Sequence, residues 1–428
     1  MHKSESLTAA ARRRRFTQTA TPSRWRRALR RRVIQRTAPA VCMVLHKAYP
    51  PDPRVAREIR IAREEGFEVD VVAMRRPGEP AFGWVEEARV FRLPLSHRQG
   101  ISFPALVLEY VGFTGLASLR VARLFLRRRY DVIHVHNPPD FLIVSALWPK
   151  LFGSRVIFDV HDLAPDMFAM RFEDRRGAAL ADRMLMLTER AAAALADSVI
   201  TVHEPYRREL VKRHVPEQKT AVVMNSVDEK VLPARQTDSL ASNGFRVVYH
   251  GTLSPHYGVD LLVEAGARLA EDVPDLRLEF YGSGDSIPAL EKRAAELGVS
   301  GIVKIGGEFS HREVLQQIQG SSVGVVPNLP TRLNRFALSS KLLEYVALEI
   351  PVVVAALPTL REHFSDAEVL FFKPGDAGAL ADGLAAVAGD PEAAAERAAA
   401  ALRRYERYRW RVYGPRYAAV LKSLARNA

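Results

Sequence analysis

The chain has 428 residues, 48% apolar and 26% charged, with one cysteine and a formal net charge of +13. That length is too great for one ordinary core and fits two domains; the lone Cys42 can make no internal disulfide and reads as a small core residue in a reducing compartment. Residues 1–38 hold Lys3 and eleven arginines against Glu5 alone, which leaves a body of only about +2 and argues against a nucleic-acid-binding surface.

Residues 1–38 read as a basic arm. A solvated, disordered tail is the first expectation; Trp25, Leu29, Val33 and Ile34 fall between arginines at near-helical spacing, which makes contact with an anionic membrane surface the second. No apolar core of signal-peptide length follows the arginines. No stretch reaches 18 uninterrupted apolar residues. The segment from Phe103, "FPALVLEYVGFTGLASLRVARLFLRRR", contains Glu109 and reads as one or two amphipathic helices, packed in a core or lying on lipid.

Short apolar runs then alternate with helical patterns, twice over. The first series is "VCMVL" (41–45), "EVDVVAM" (68–74), "ARVFRLP" (88–94), "VIHVH" (132–136), "VIFDVH" (156–161), "SVITVH" (198–203) and "AVVMN" (221–225). The stretch 231–244 loses this periodicity, gathers Pro, Ser, Asn and Gly, and reads as a linker. The second series is "RVVYHG" (246–251), "RLEFYG" (277–282), "IVKIGG" (302–307), "SVGVVPN" (322–328), "PVVVAA" (351–356) and "VLFFKPG" (369–375). Such alternation predicts parallel sheets covered by helices, here two doubly wound α/β domains at 39–230 and 245–407. The last segment, 408–428, carries an apolar stripe through Trp410, Tyr413, Tyr417, Val420 and Leu421 that requires a packing partner.

Ligands of open parallel sheets sit outside the carboxyl ends of the strands. There the first domain places His134, His136 and Asn137, then Asp159, His161 and Asp162, then His203 and Glu204, then Asn225 and Asp228. The second places His250, Gly251, the Gly282–Gly284 turn, Glu308, Asn328, Lys341 and Glu344. His134 and His136 lack a third metal ligand at recognisable spacing. No Walker-type loop and no Asp-x-Asp pair occurs, so neither a phosphate loop nor the usual carboxylate pair for Mg²⁺ is expected.

Ser339 and Ser340 open a helix whose apolar positions are Leu342, Leu343, Val346 and Ala347. Its first turn offers free amides and the positive end of a dipole, where a phosphate can sit beside Lys341 and Arg335. Glu344, one turn on, can accept two hydroxyl hydrogen bonds from a ribose. Ser310 and Glu313 have capping-box spacing and read as structural.

The segments "KLLEYVALEIPVVVA", "VVMNSVD", "VVYHGTLSPHYGVDLLVEA", "LEFYGSGD" and "DVIHVHNPPD…VIFDVHDLAPDMF" together resemble glycosyltransferase family 4, in order from about residue 40 onward. The resemblance implies the GT-B fold, two Rossmann-like domains facing across a cleft, with the 408–428 helix packing back on the first domain. It implies a retaining, metal-independent transferase without cofactor, moving sugar from a UDP- or GDP-sugar co-substrate to a saccharide or lipid-linked saccharide. Cell-surface polysaccharide or glycolipid synthesis, in the cytoplasm and at the inner face of the cell membrane, is the implied setting.

By the same resemblance His161, Lys341 and Arg335 are the catalytic residues. Gly251, Thr252, Glu308, Ser340, Lys341 and Glu344 bind the donor nucleotide. From their place at the strand ends, His136, Asn137, Asp162, His203 and Glu204 are the candidate acceptor or sugar contacts. The chain departs from the pattern in three places. Phe336 stands where the first glutamate of Glu-x7-Glu is expected. Thr252 and Tyr257 lie near the usual Arg and Lys, leaving diphosphate charge to Arg332, Arg335, Lys341 or His256. The loop after the first strand is "HKAYPPDPRV" rather than Gly-Gly. A nucleotide-sugar 2-epimerase of the same fold and a decayed sugar-nucleotide-binding scaffold are the rival readings.

Overall fold

Strand β1 (Ala40–Ala48) has parallel neighbours on both edges and is buried over most of its length, as its unbroken apolar run requires. It is central in an eight-stranded sheet with β2 (Glu68–Met74), β3 (Phe82–Val85), β4 (Ala88–Leu93), β5 (Val132–His136), β6 (Arg155–Val160), β7 (Ser198–Thr201) and β8 (Thr220–Val222). The order is β3-β4-β2-β1-β5-β6-β7-β8, parallel except where β3 runs antiparallel to β4. The computed structural model describes residues 38–50, 52–97, 102–172, 177–234, 244–307 and 309–426. The arm expected at 1–38 therefore lies outside them save for its last residue, as does Glu308.

The second sheet is parallel throughout. It joins β9 (Arg246–His250), β10 (Arg277–Tyr281), β11 (Val303–Ile305), β12 (Val323–Val326), β13 (Val352–Ala355) and β14 (Leu370–Phe372) in the order β11-β10-β9-β12-β13-β14. Strand order reverses at β1/β5 in one lobe and at β9/β12 in the other, so each lobe opens a crevice beyond its strand ends. These are two Rossmann-like lobes, and residues from Pro39 onward form one compact unit.

Strand β3 has no counterpart in the sequence reading. Its two-residue turn to β4 is Glu86-Glu87, both at positive φ (47° and 64°). Such turns favour Asn or Gly, so the residues here carry no turn signal.

The helix Trp410–Arg426 crosses between the lobes. Tyr413 belongs to the second lobe's core, whereas Tyr417 and Leu421 are fully buried against the first. Tyr417 Oη lies 3.1 Å from His134 Nδ1. Across the cleft, Arg332 reaches Asp166 (2.9 Å) and Asp182 (3.0 Å) of the first lobe, and Arg208 reaches Glu362 of the second. Phe336 packs against the apolar core of the first lobe.

Candidate functional site between the lobes

A cavity of about 210 Å³ opens where the two sets of strand ends face one another. His161, Asp162, His203 and Asn225 line it from the first lobe; Tyr257, Asn328, Ser339, Ser340 and Lys341 line it from the second. Two of its lining atoms, His203 Nε2 and Asn328 Oδ1, are buried without a hydrogen-bond partner. Buried polar atoms are ordinarily satisfied, so an unpaired donor and acceptor in one cavity point to a ligand.

Ser339 is the N-cap of the helix Ser340–Ala347, but its hydroxyl makes no cap bond. The first-turn amides are thus left without a side-chain acceptor, the condition for binding an anion there. Lys341 stands beside them. Its Nζ sits 4.7 Å from the centroid of the Tyr257 ring and 5.2 Å from that of Tyr249. Burial pushes its ammonium down to about 8, against the pull of Glu344. Gly251 makes room for it. A Cβ there would lie 2.9 Å from Lys341 Cε, and the φ of +108° disfavours any side chain.

Glu344 is buried one turn behind. Its two oxygens meet His250 Nε2 (3.1 Å) and His311 Nε2 (3.0 Å). Burial pushes His250 down to about 4, so this ring is neutral at pH 7. Burial also opposes charge on His311, but its bond to Glu344 prevails and raises it. His311 escaped the sequence reading because it sits at the start of a different helix, His311–Ile318. That helix begins with the Ser310/Glu313 capping box.

On the facing side, His161 is fixed from behind. Asp159 Oδ2 lies 2.9 Å from its Nε2, and Asn137 Oδ1 accepts its backbone N–H at 2.7 Å. Asp159 also takes two bonds from Arg54, at 2.9 and 2.8 Å. Burial opposes ionisation of Asp159, yet Arg54 and then His161 hold it well below the usual carboxylate range. His136 Nδ1 lies 3.1 Å from His161 Nε2, and burial takes His136 down to about 3. His136 and Asn137 are thus buried supports of the 161–162 turn; the cavity itself is lined by His161 and Asp162.

Ligand-type atoms of Glu58, His134, His136 and Asp159 lie within 4.8 Å of one another. The fold supplies partners that the spacing of the two histidines did not reveal. Arg54, however, already holds both oxygens of Asp159, and a second cation would stand against a buried guanidinium. This cluster is better described as an ion network behind His161.

Other expected contacts sit elsewhere. Arg335 is exposed and stacks over Phe336, 4.8 Å from its centroid, rather than lining the cavity. Glu204 is engaged by Arg207 at the surface. Thr252 has an exposed side chain, and only its carbonyl is used, by Tyr249 Oη at 2.8 Å. Glu308, expected at the donor nucleotide, lies outside the described residues.

Residues 51–226 match the Glycosyl transferase 4-like domain and residues 234–404 match Glycosyl transferases group 1. The chain belongs to the GT4-type glycosyltransferases. It is 24% identical over 329 residues to the D-inositol 3-phosphate glycosyltransferase of Thermobispora bispora, covering 71% of this chain and 72% of that one. In structure it is similar to sucrose-phosphate synthase of Thermosynechococcus elongatus (TM-score 0.75, 18% identity), covering 91% of this chain and all of that one. It is also similar to Anabaena HepE in complex with UDP and glucose (TM-score 0.67, 16% identity), covering 90% of this chain and 99% of that one. These likenesses show the GT-B fold. Phe336, which stands where the resemblance led the first glutamate of Glu-x7-Glu to be expected, packs on the core of the opposite lobe.

Proposed function

We propose that this glycosyltransferase is retaining and metal-independent, and that the diphosphate of its sugar nucleotide docks on the first turn of the Ser340 helix. One observation carries the reading: Lys341, Ser340 and Ser339 open together into the interlobe cavity, opposite His161. The uncapped amides and the ammonium offset charge growing on the leaving diphosphate, which is where such a reaction gains most. Asp162 is the one carboxylate among the described residues lining the cavity, which favours protein cations over a carboxylate-held metal.

The acceptor hydroxyl attacks the anomeric carbon on the face the nucleotide leaves. The bond from that carbon to the diphosphate oxygen breaks as the new glycosidic bond forms, and the hydroxyl proton passes to the departing phosphate. His161 orients the sugar. Glu344 takes ribose hydroxyls once His311, which is partly exposed, yields one carboxylate oxygen. The acceptor is a saccharide or lipid-linked saccharide of polysaccharide or glycolipid synthesis. The UDP and glucose in the Anabaena neighbour make uridine the first nucleotide to test, with guanosine next.

A thermal-shift series with UDP-, GDP-, ADP- and dTDP-sugars in EDTA tests this. A selective shift that follows RT ln(1 + [L]/Kd) is expected. No shift with any of them, or one that appears only with added Mg²⁺ or Mn²⁺, would overturn the reading. Product analysis separates an epimerase, which alters the donor sugar with no acceptor present.

A further inference from the structure

The helix Phe103–Arg127 is apolar on two sides, and only one is covered. Phe113, Ala117, Val121, Leu124 and Phe125 are buried against the first sheet. Leu108, Val111, Leu119 and Leu126 recur at three-, seven- and eight-residue spacing on the opposite side, and they are 73%, 54%, 57% and 69% exposed. The helix is long and apolar enough to cross a membrane by length and composition, with 22% of its most apolar window buried.

Its neighbours continue the pattern. The 3-10 segment Asp140–Ala146 packs on both this helix and the helix Ala178–Leu195. From it and the short helix Leu147–Leu151, the side chains of Val144, Leu147, Trp148 and Leu151 are exposed; from Ala178–Leu195, Leu180, Met184 and Leu187 are exposed. Thirteen of the sixteen large exposed apolar side chains among the described residues belong to these segments, whose buried sides share one core cluster of the first lobe. A patch of that extent marks an interaction surface.

Charge identifies the occupant. The acids of these segments are Glu109, Asp140, Asp182 and Glu189, and each is paired or hydrogen-bonded, Asp182 while still 31% exposed. They meet His46 and His97, Asn137, Arg332, and Arg213 respectively. The exposed charges are cationic: Arg123 and Arg127 beside the first stripe, Arg183 and Arg190 beside the Leu180–Leu187 stripe. Apolar rows bordered by exposed arginines, with every carboxylate already engaged, match an anionic bilayer surface. A second copy pairing through the same face would set its arginines against like charges.

We propose that the three-helix face formed by Phe103–Arg127, Asp140–Leu151 and Ala178–Leu195 docks the enzyme on anionic lipid, with its leucines among the acyl chains and its arginines at the phosphates. Asp182, on the last of these helices, holds Arg332, and its neighbour Leu333 lines the cavity. Docking there brings the cleft rim to the bilayer, where a lipid-linked acceptor is presented.

Co-sedimentation with vesicles of 30% phosphatidylglycerol in phosphatidylcholine, without substrates, tests this separately from the nucleotide reading. The full chain is compared with a Leu108→Asn, Leu119→Asn, Leu126→Asn variant, all three sites being exposed. At 0.5 M salt, where the basic arm's contribution is screened, the variant's partitioning is expected to fall at least tenfold while its thermal melt stays unchanged. Equal partitioning of the two proteins overturns the proposal. So does a dimer of the parent chain, seen by analytical ultracentrifugation, that the same substitutions dissociate.

Discussion

The ammonium of Lys341 lies 4.7 Å from the centroid of the Tyr257 ring, a cation held against an aromatic face beside the start of its helix. On the reading proposed above, the second lobe meets the diphosphate with one lysine and a helix terminus. Much of the mechanism can be tested on that lysine.

Because burial holds Lys341 near 8 in the free enzyme, an anion bound beside it will raise that value again. Binding of a nucleoside diphosphate therefore takes up a proton above pH 8, and affinity falls as pH rises through 8. Calorimetry at pH 8.5 in buffers of different ionisation enthalpy reads the uptake. Heats that do not depend on the buffer would contradict it. Lys341→Ala should lower turnover on the order of 10²-fold, the scale of one preorganised partner; a loss below about threefold removes Lys341 from the chemistry.

The Asp159–Arg54 pair separates support from catalysis. Asp159→Asn removes the carboxylate that takes two hydrogen bonds from buried Arg54 and leaves it only Glu58, at 3.3 Å, so a cost of about 3 kcal/mol in urea unfolding is expected. His161→Ala removes one hydrogen bond to the same carboxylate and should cost about 1 kcal/mol, yet abolish transfer. If both variants lose stability equally and retain turnover, His161 is only part of the scaffold.

His311 gives a pH signature. Its folded value is raised by Glu344 above the ordinary histidine range, so its contribution is full at acidic pH and is lost as pH rises past that raised value. His311→Ala should therefore cost more at pH 5.5 than at pH 8.5, by about 1 kcal/mol or less for a partly exposed pair. Denaturation curves at the two pH values decide it. A penalty that is larger at pH 8.5 would show the sign to be wrong.

Phe336 and Arg332 hold the lobes together from one short segment, by apolar packing and by pairs to Asp166 and Asp182. The double variant Phe336→Ala, Arg332→Ala is expected to open the cleft, with a larger radius of gyration in small-angle scattering and a reduced kcat. An unchanged radius would mean that other contacts set the closure.

The long apolar runs declared themselves. Val352, Val353 and Val354 read as a buried parallel strand because β-branched side chains favour strands and a short unbroken apolar run suits one covered on both faces. Strand β3 was hidden because Gly83 and Trp84 form no clean alternation and its turn is two glutamates. Ser339, Ser340 and Lys341 were legible as a helix start, and His161 as a strand-end residue. The networks behind them were not: His311 is 33 residues from its partner Glu344 in the chain, and Arg54 is 105 from Asp159, which holds His161. Arg335 looked as promising as Lys341 from its charge and position, yet its side chain is exposed over Phe336.

Alternation of apolar runs with helical periods was enough to dictate two parallel α/β lobes and the ends at which polar residues gather. Periodicity is a local property, and burial of a strand depends on little else. Only the tertiary structure decided which of those polar residues share a cavity, which are locked in ion pairs behind it, and that one helix keeps a second apolar face uncovered. Those outcomes depend on distances between segments a hundred or more residues apart, set by how the sheets twist and how the lobes meet.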